Sequence, residues 1–281
     1  MIAGYATPEA TAAYAARFVK EEGVATGHYR TSRHLTLSSI GLGTYLGDPD
    51  EETDRRYAGA IQEFVRRGGN VIDTAINYRA QRSERVVGES LASLVRDGVA
   101  KREALVLCTK VGYFSFDGRY PKNQKETRDW VEQQFVATGI VRAEEIAQGC
   151  HAMSPAYIRN QAERSRANLG VDTIDVYYLH NPETQLREHD IDRAEFEKRL
   201  RAAFEAMEEL ASAGAIRYYG VATWNGFRVP PTSEEYSLSR ICWESPSKWR
   251  ATAIACGSSR RRSIWRCSRR CASPIKGSGP D

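Results

Sequence analysis

Five short apolar runs, four of them followed by an amphipathic stretch of helical period, constrain this chain more than any other feature. The runs are SSIGLGTYL (38–46), NVIDTA (70–75), ALVLCTK (104–110), IDVYYLH (174–180) and IRYYGVAT (216–223). Between the first two, EETDRRYAGAIQEFVRR places Tyr57, Ile61, Phe64 and Val65 on one helical face and stops at Gly68 and Gly69. SERVVGESLASLVRDG aligns Val87, Leu91, Leu94 and Val95, with Ser83 in N-cap position and Gly98 as terminator. SPAYIRNQAERSRANLG opens on Ser154 as cap and Pro155 in the first turn. RAEFEKRLRAAFEAMEELASAG lines up Leu200, Phe204, Met207 and Ala211.

Strands that alternate with helices imply parallel βαβ units. Strands apolar along their whole length are covered on both faces, as parallel sheets require. An open doubly wound sheet and a closed barrel both satisfy this. The open sheet would carry a glycine-rich phosphate turn after its first strand, and GLGTYLG (41–47) has no G-x-G-x-x-G opening a helix. The expected fold is therefore α/β, a (β/α)8 TIM-type barrel that is incomplete, with about five βα units present and the last three missing. Residues 1–236 are expected to form this domain.

The chain has 281 residues, 41% of them hydrophobic, enough for one large α/β domain. No run approaches the roughly 18 apolar residues of a membrane span. The N-terminus, MIAGYATPEATAAYAARFVKEEG, reads as an amphipathic helix and not as a signal peptide. Only Cys108 and Cys150 precede residue 237. That argues for a reducing compartment without a disulfide framework, so a cytoplasmic location is expected.

In a parallel barrel, reactive side chains project from the C-terminal ends of the strands. Asp73 ends the second run, Lys110 the third and His180 the fourth, and Tyr78 follows the second in a polar loop. Each has an ordinary alternative: a turn or cap for Asp73, a solvated charge for Lys110, a hydrogen-bonded turn for His180 before Asn181 and Pro182. Together, at successive strand ends, they describe a chemistry. A free phenol has a pKa near 10 and exchanges protons slowly at neutral pH. An adjacent ammonium stabilises the phenolate, and a carboxylate keeps the ammonium charged. A neutral imidazole beside them orients a carbonyl oxygen. The set suits a proton donor aimed at a carbonyl. No side chain gives hydride, so a cofactor such as a nicotinamide is needed.

With these residues the chain resembles the aldo-keto reductase family. GLGTY (41–45), VIDTAINY (71–78), LCTKVG (107–112), YYLHNPE (177–183) and GVATWN (220–225) follow the order of that family's strand-end motifs across roughly residues 28–236. The resemblance implies a (β/α)8 barrel, NADPH as cofactor and a small-molecule carbonyl substrate, an aldehyde or ketone. It implies Tyr78 as general acid, Asp73 and Lys110 as its tuning pair, and His180 as the group that positions the carbonyl. Cofactor contacts would fall on Thr44, Tyr45, Asp73 and Thr223. Ala222 departs from the family's usual polar pair, since its side chain forms no hydrogen bond. A lyase or isomerase on the same barrel, or a non-enzymatic remnant that keeps part of it as a binding surface, are the other readings.

The histidines at 28, 34, 151, 180 and 189 lack metal-ligand spacing, and no G-x-S-x-G elbow occurs. Segment 111–153 interrupts the rhythm with Tyr113, Phe114, Phe116 and Trp130. It reads either as a cap over the site or as a self-packed excursion.

Beyond Glu235 the composition changes. Residues 237–281 hold ten basic residues against Glu244 and Asp281, three tryptophans, four cysteines, and Leu238 as the sole leucine. A basic arm for nucleic acid needs no tryptophan or cysteine, which argues against that partner. Cys256, Cys267 and Cys271 fit no strong metal pattern. An out-of-frame translation of GC-rich DNA accounts best for Ser, Arg, Cys and Trp together, and such a tail is expected to be disordered. Without the strands that grip the cofactor's phosphates in the family, weak NADPH binding is expected.

Overall fold

The computed structural model describes residues 1–188, 190–226, 229 and 233. Helix α1 (Pro8–Glu21) starts at Thr7, whose hydroxyl accepts from the Ala10 amide, with proline in the first turn. It buries Tyr14 and Phe18, and the Tyr14 hydroxyl lies 2.6 and 3.0 Å from the carbonyls of Val65 and Gly69. A hairpin follows, β1 (Tyr29–Ser32) and β2 (Leu35–Ser38), paired antiparallel. Its two turn residues, Arg33 and His34, have φ of 50° and 69°, the paired left-handed geometry that suits two-residue hairpins.

The remaining strands are β3 (Leu42–Gly43), β4 (Val71–Asp73), β5 (Val106–Val111), β6 (Ile174–His180) and β7 (Ile216–Ala222). They form one parallel sheet in that order. Helices α2 (Glu51–Arg66), α3 (Arg82–Arg96), α5 (Pro155–Leu169) and α6 (Arg193–Ser212) make the crossovers, and α4 (Gln124–Val131) lies within the long 111–153 segment. This is the α/β arrangement of a partial barrel, with the five expected strands in the expected order. All six residues of β5 and all seven of β6 are buried, as strands covered on both faces must be.

Side chains alternate between the faces. Ile72, Leu107, Tyr177, Leu179, Tyr219 and Val221 join the helices in the main core, with Ile61, Val87, Leu91, Ile158 and Phe204. Val71, Val106, Cys108, Val176, Tyr178 and Ala222 face the other way, where Leu35 and Leu37 of the hairpin cover them. A buried ion pair braces the N-terminal ends of β5 and β6. Arg102 meets Asp175 at 2.8 Å, and Asp175 also accepts from the amides of Ala6 and Leu107.

Local expectations differ from the structure at three points. The first run shortens to Leu42–Gly43, with Ile40 and Leu46 exposed. Ser83 does not cap α3: Gln81 occupies the N-cap with φ of 69°, and the Ser83 hydroxyl donates to the Thr44 carbonyl at 2.7 Å. Ser154 holds the N-cap of α5, yet its hydroxyl makes no capping bond. No helix among the described residues is long and apolar enough to cross a membrane. The expectations for 237–281, including the out-of-frame origin and Cys256, Cys267 and Cys271, lie outside the described residues, as does His189.

Candidate active site

The period of two decides which strand-end side chains meet. Asp73 is in phase with Val71, Lys110 with Val106 and Cys108, and His180 with Val176 and Tyr178, all on the face turned away from the helices. Pairing sets their heights: Asp73 lies beside Cys108, Lys110 beside Tyr178, and His180 beside Ala222. Three neighbouring strands therefore present Asp73, Lys110 and His180 at one rim.

Lys110 is buried, and its ammonium donates to Asp73 Oδ2 at 2.7 Å and to the Thr74 carbonyl at 2.8 Å. The charge is thus solvated by one carboxylate and one carbonyl in place of water. The ammonium also lies 4.8 Å from the centre of the Tyr78 ring. Tyr78 meets His180 edge to face with ring centres 5.8 Å apart, and Tyr45 also packs against it at 5.0 Å. The four residues expected to act together are adjacent.

Burial, reinforced by the nearby Lys110 and His151, holds the His180 imidazole well below its ordinary 6.5, so the ring is neutral at pH 7. Its Nδ1 is buried without a hydrogen-bond partner. With the proton on Nε2, only a lone pair is left unmatched there, the lesser penalty. Tyr113 packs at 5.1 Å against His180 and at 5.2 Å against His151. Segment 111–153 contributes one ring beside His180 and otherwise packs on itself and on the core. Tyr113 lies against His180, while Phe114 and Phe135 stack on each other and meet the Tyr157 ring edge to face in the core, and the Trp130 indole donates to the Ser115 carbonyl.

His151 had no assigned role in the sequence, and the structure gives it one. It is fully buried, with Nε2 2.9 Å from the His180 carbonyl and Nδ1 2.9 Å from Gln185 Nε2. Gly112 makes this approach feasible. Its φ is +154°, and a Cβ there would lie 2.6 Å from His151 Nε2 and 2.7 Å from the His180 carbonyl. A buried histidine leaves no periodic signal, so only the three-dimensional contact identifies it.

The expected cofactor contacts divide. Tyr45 is 66% exposed beside Tyr78, Trp224 is exposed at the end of β7, and the Asp73 side chain keeps 31% of its surface. These offer aromatic faces and a carboxylate to a flat, amide-bearing ring. Thr44 and Thr223 are buried. The Thr44 hydroxyl points to the Asp73 carbonyl at 3.4 Å, and Thr223 Oγ1 accepts from the Gly226 amide at 2.8 Å. Tyr45, Asp73, Thr44 and Thr223 all lie at the rim ends of β3, β4 and β7, the first two with exposed side-chain surface and the two threonines buried. Among the described residues, no group of three or more His, Cys, Asp or Glu could hold a metal ion.

A model of the aldo/keto reductase family matches residues 39–229. An uncharacterized oxidoreductase, YqkF, of Bacillus subtilis is 28% identical over 191 residues, 67% of this chain and 46% of that protein. The NADH-specific methylglyoxal reductase of Escherichia coli is 30% identical over 193 residues, 67% of this chain and 49% of its own. A holo-form aldo-keto reductase from Bacillus halodurans superposes with a TM-score of 0.46 at 26% identity, over 70% of this chain and 50% of that one. The chain spans about half the length of the curated relatives it matches.

Proposed function

Because the chain belongs to the aldo/keto reductase family, we propose that its rim of Asp73, Tyr78, Lys110 and His180 serves the NADPH-dependent reduction of an aldehyde or ketone. One observation carries the reading. The buried Lys110 ammonium touches the Asp73 carboxylate at 2.7 Å and lies 4.8 Å from the Tyr78 ring, with the neutral His180 ring against the same phenol.

The bound nicotinamide would supply hydride. The chain's own residues supply the proton and the geometry. Asp73 holds the charge on Lys110, and an ammonium beside a phenol eases the loss of its proton. Tyr78 gives its hydroxyl proton to the carbonyl oxygen as that oxygen gains negative charge. His180, kept neutral by burial, donates a hydrogen bond from Nε2 to the same oxygen and orients it. Tyr45 and Tyr113 flank Tyr78 and His180 and limit water at the reacting atoms.

We carry over a weak grip on the cofactor. The Thr44 hydroxyl points at the Asp73 carbonyl, Thr223 Oγ1 accepts from the Gly226 amide, and Ala222 has no polar side chain to offer. The coenzyme preference is a separate matter, since one matched relative is NADH-specific by name. The cytoplasmic location stands as part of this proposal.

The test is cofactor titration by fluorescence, followed by turnover of a panel of small aldehydes and ketones. NADPH oxidation that Tyr78→Phe reduces by at least about a hundredfold, the usual scale of a general acid, supports the reading. Turnover that survives Tyr78→Phe refutes it. Binding without turnover at any substrate favours a binding remnant of the barrel.

A further inference from the structure

The geometry points to Arg79 as a positioning residue that aims Tyr78, by bolting together the two rim loops that flank the phenol. This assignment rests on the reading of Tyr78 given above and concerns a residue with no part in the chemistry itself.

Arg79 directly follows Tyr78 and is wholly buried, a rare place for a guanidinium. Its Nε donates to the Asp48 carbonyl at 2.8 Å, and one Nη donates to the Asp50 carbonyl at 3.1 Å and to Asp54 Oδ1 at 2.6 Å. The Tyr57 ring lies 5.3 Å from the guanidinium carbon. All these partners belong to the loop after β3 or to the start of α2. That loop also carries Tyr45, which packs against the Tyr78 ring at 5.0 Å. Arg79 thus ties the loop bearing Tyr78 to the loop bearing Tyr45. The planar fork is suited to holding several acceptors in fixed directions.

The backbone gives an independent observation. Arg79, Ala80 and Gln81 have φ of 50°, 53° and 69°, three successive non-glycine residues in the left-handed region. Such a run is unfavourable and persists only where its surroundings over-determine it. The surroundings here do so through contacts with two segments. Arg79 reaches the β3–α2 connection, the Ala80 carbonyl accepts from the Gly118 amide at 2.9 Å, and Gln81 Nε2 donates to the Phe116 carbonyl at 2.9 Å. The turn sends the chain from the rim into α3 and leaves Tyr78 facing Lys110 and His180. Relaxing it would swing the phenol away from the ammonium.

The competing assignment is that Ala80 and Gln81 hold the turn alone and Arg79 only stabilises the fold. Tyr78 ionisation separates the two. Tyrosine is labelled at 13Cζ, the Tyr78 resonance is identified by its loss in Tyr78→Phe, and the full chain is titrated without cofactor or substrate. Arg79→Lys keeps the charge and removes the fork; Arg79→Met removes both. In each the Tyr78 midpoint should rise by at least about half a pH unit, as the phenol leaves the field of the Lys110 ammonium. Asp54→Asn removes the carboxylate anchor from a partly exposed site on α2 and should move the midpoint the same way by less. It answers the question if the Arg79 variants do not fold. A midpoint unchanged from wild type in folded Arg79→Lys, or in Asp54→Asn where Arg79 variants are unfolded, overturns the assignment. Lys110→Met serves as the separate control. If it leaves the Tyr78 midpoint unmoved, the general-acid reading fails, whatever Arg79 does.

Discussion

Lowering the pH should destabilise this chain through one ring, His151. Gln185 Nε2 only donates, so His151 Nδ1 accepts from it and Nε2–H donates to the His180 carbonyl. Both nitrogens are matched in the neutral form, and a second proton on Nδ1 would face an amide donor. Burial lowers the ring from its ordinary 6.5 to about 4, the bond to His180 offsetting a smaller part. The sign follows directly. Between about pH 6.5 and 4 the unfolded chain binds a proton here that the folded chain refuses. Stability is fully present above 6.5 and is lost as pH falls toward 4. At about 1.4 kcal/mol for each tenfold change in proton affinity, the loss is about 3 kcal/mol.

Two other buried groups are shifted from their ordinary values, and one opposes the effect. Glu84 is fully buried with Thr109 and Asn168 as partners, and burial raises its carboxyl. Its contribution is present below about 4.5 and lost as pH rises through its folded value. His180 acts in the same direction as His151. The assay is therefore a difference. Urea unfolding of wild type and His151→Gln is followed by circular dichroism at steps from pH 7 to 4. The stability of wild type relative to the variant should fall by about 3 kcal/mol over that span. A gap that stays constant within about 0.5 kcal/mol, the usual scatter between independent sites, refutes a buried neutral His151.

Two further outcomes concern the scaffold. Asp175→Ala leaves the buried Arg102 charge unpaired and two amides unmatched. It should cost about 3–5 kcal/mol, read as a lower urea midpoint, with Asp175→Asn recovering part of the loss. Gly112→Ala must place a methyl 2.6 Å from His151 Nε2 and 2.7 Å from the His180 carbonyl. A loss of about 1–3 kcal/mol is expected, with a displaced His180 imidazole resonance, and an unchanged resonance would contradict the packing described.

The elements with long periodic patterns were legible in the sequence. The helix around Ile61 and Val65, the one around Leu200 and Met207, and the strands ending at Lys110 and His180 all fall where their apolar residues place them. The strand-end rule also brought Asp73, Tyr78, Lys110 and His180 to one rim. The failures are local choices overridden from a distance. Ser83 has the chemistry of a cap, yet the Thr44 carbonyl across the rim takes its hydroxyl. The hairpin at 29–38 has only Leu35 and Leu37 as buried apolar anchors, too few for a periodic signal. Arg79 was invisible because arginine beside tyrosine predicts a solvated charge, and its acceptors lie 25 to 31 residues away.

The alternation within β5 has a consequence for how this rim can change over time. Lys110 meets Asp73, while its neighbour Thr109 turns to Glu84 on α3. Deleting or inserting one residue upstream in that strand would turn Lys110 to the helix side, burying an ammonium among helices and leaving Val111 or Thr109, respectively, beside the phenol. Length changes in units of one are therefore barred from the strands and confined to the loops, so a lineage carrying this rim can reshape its mouth freely while the reactive row stays in step.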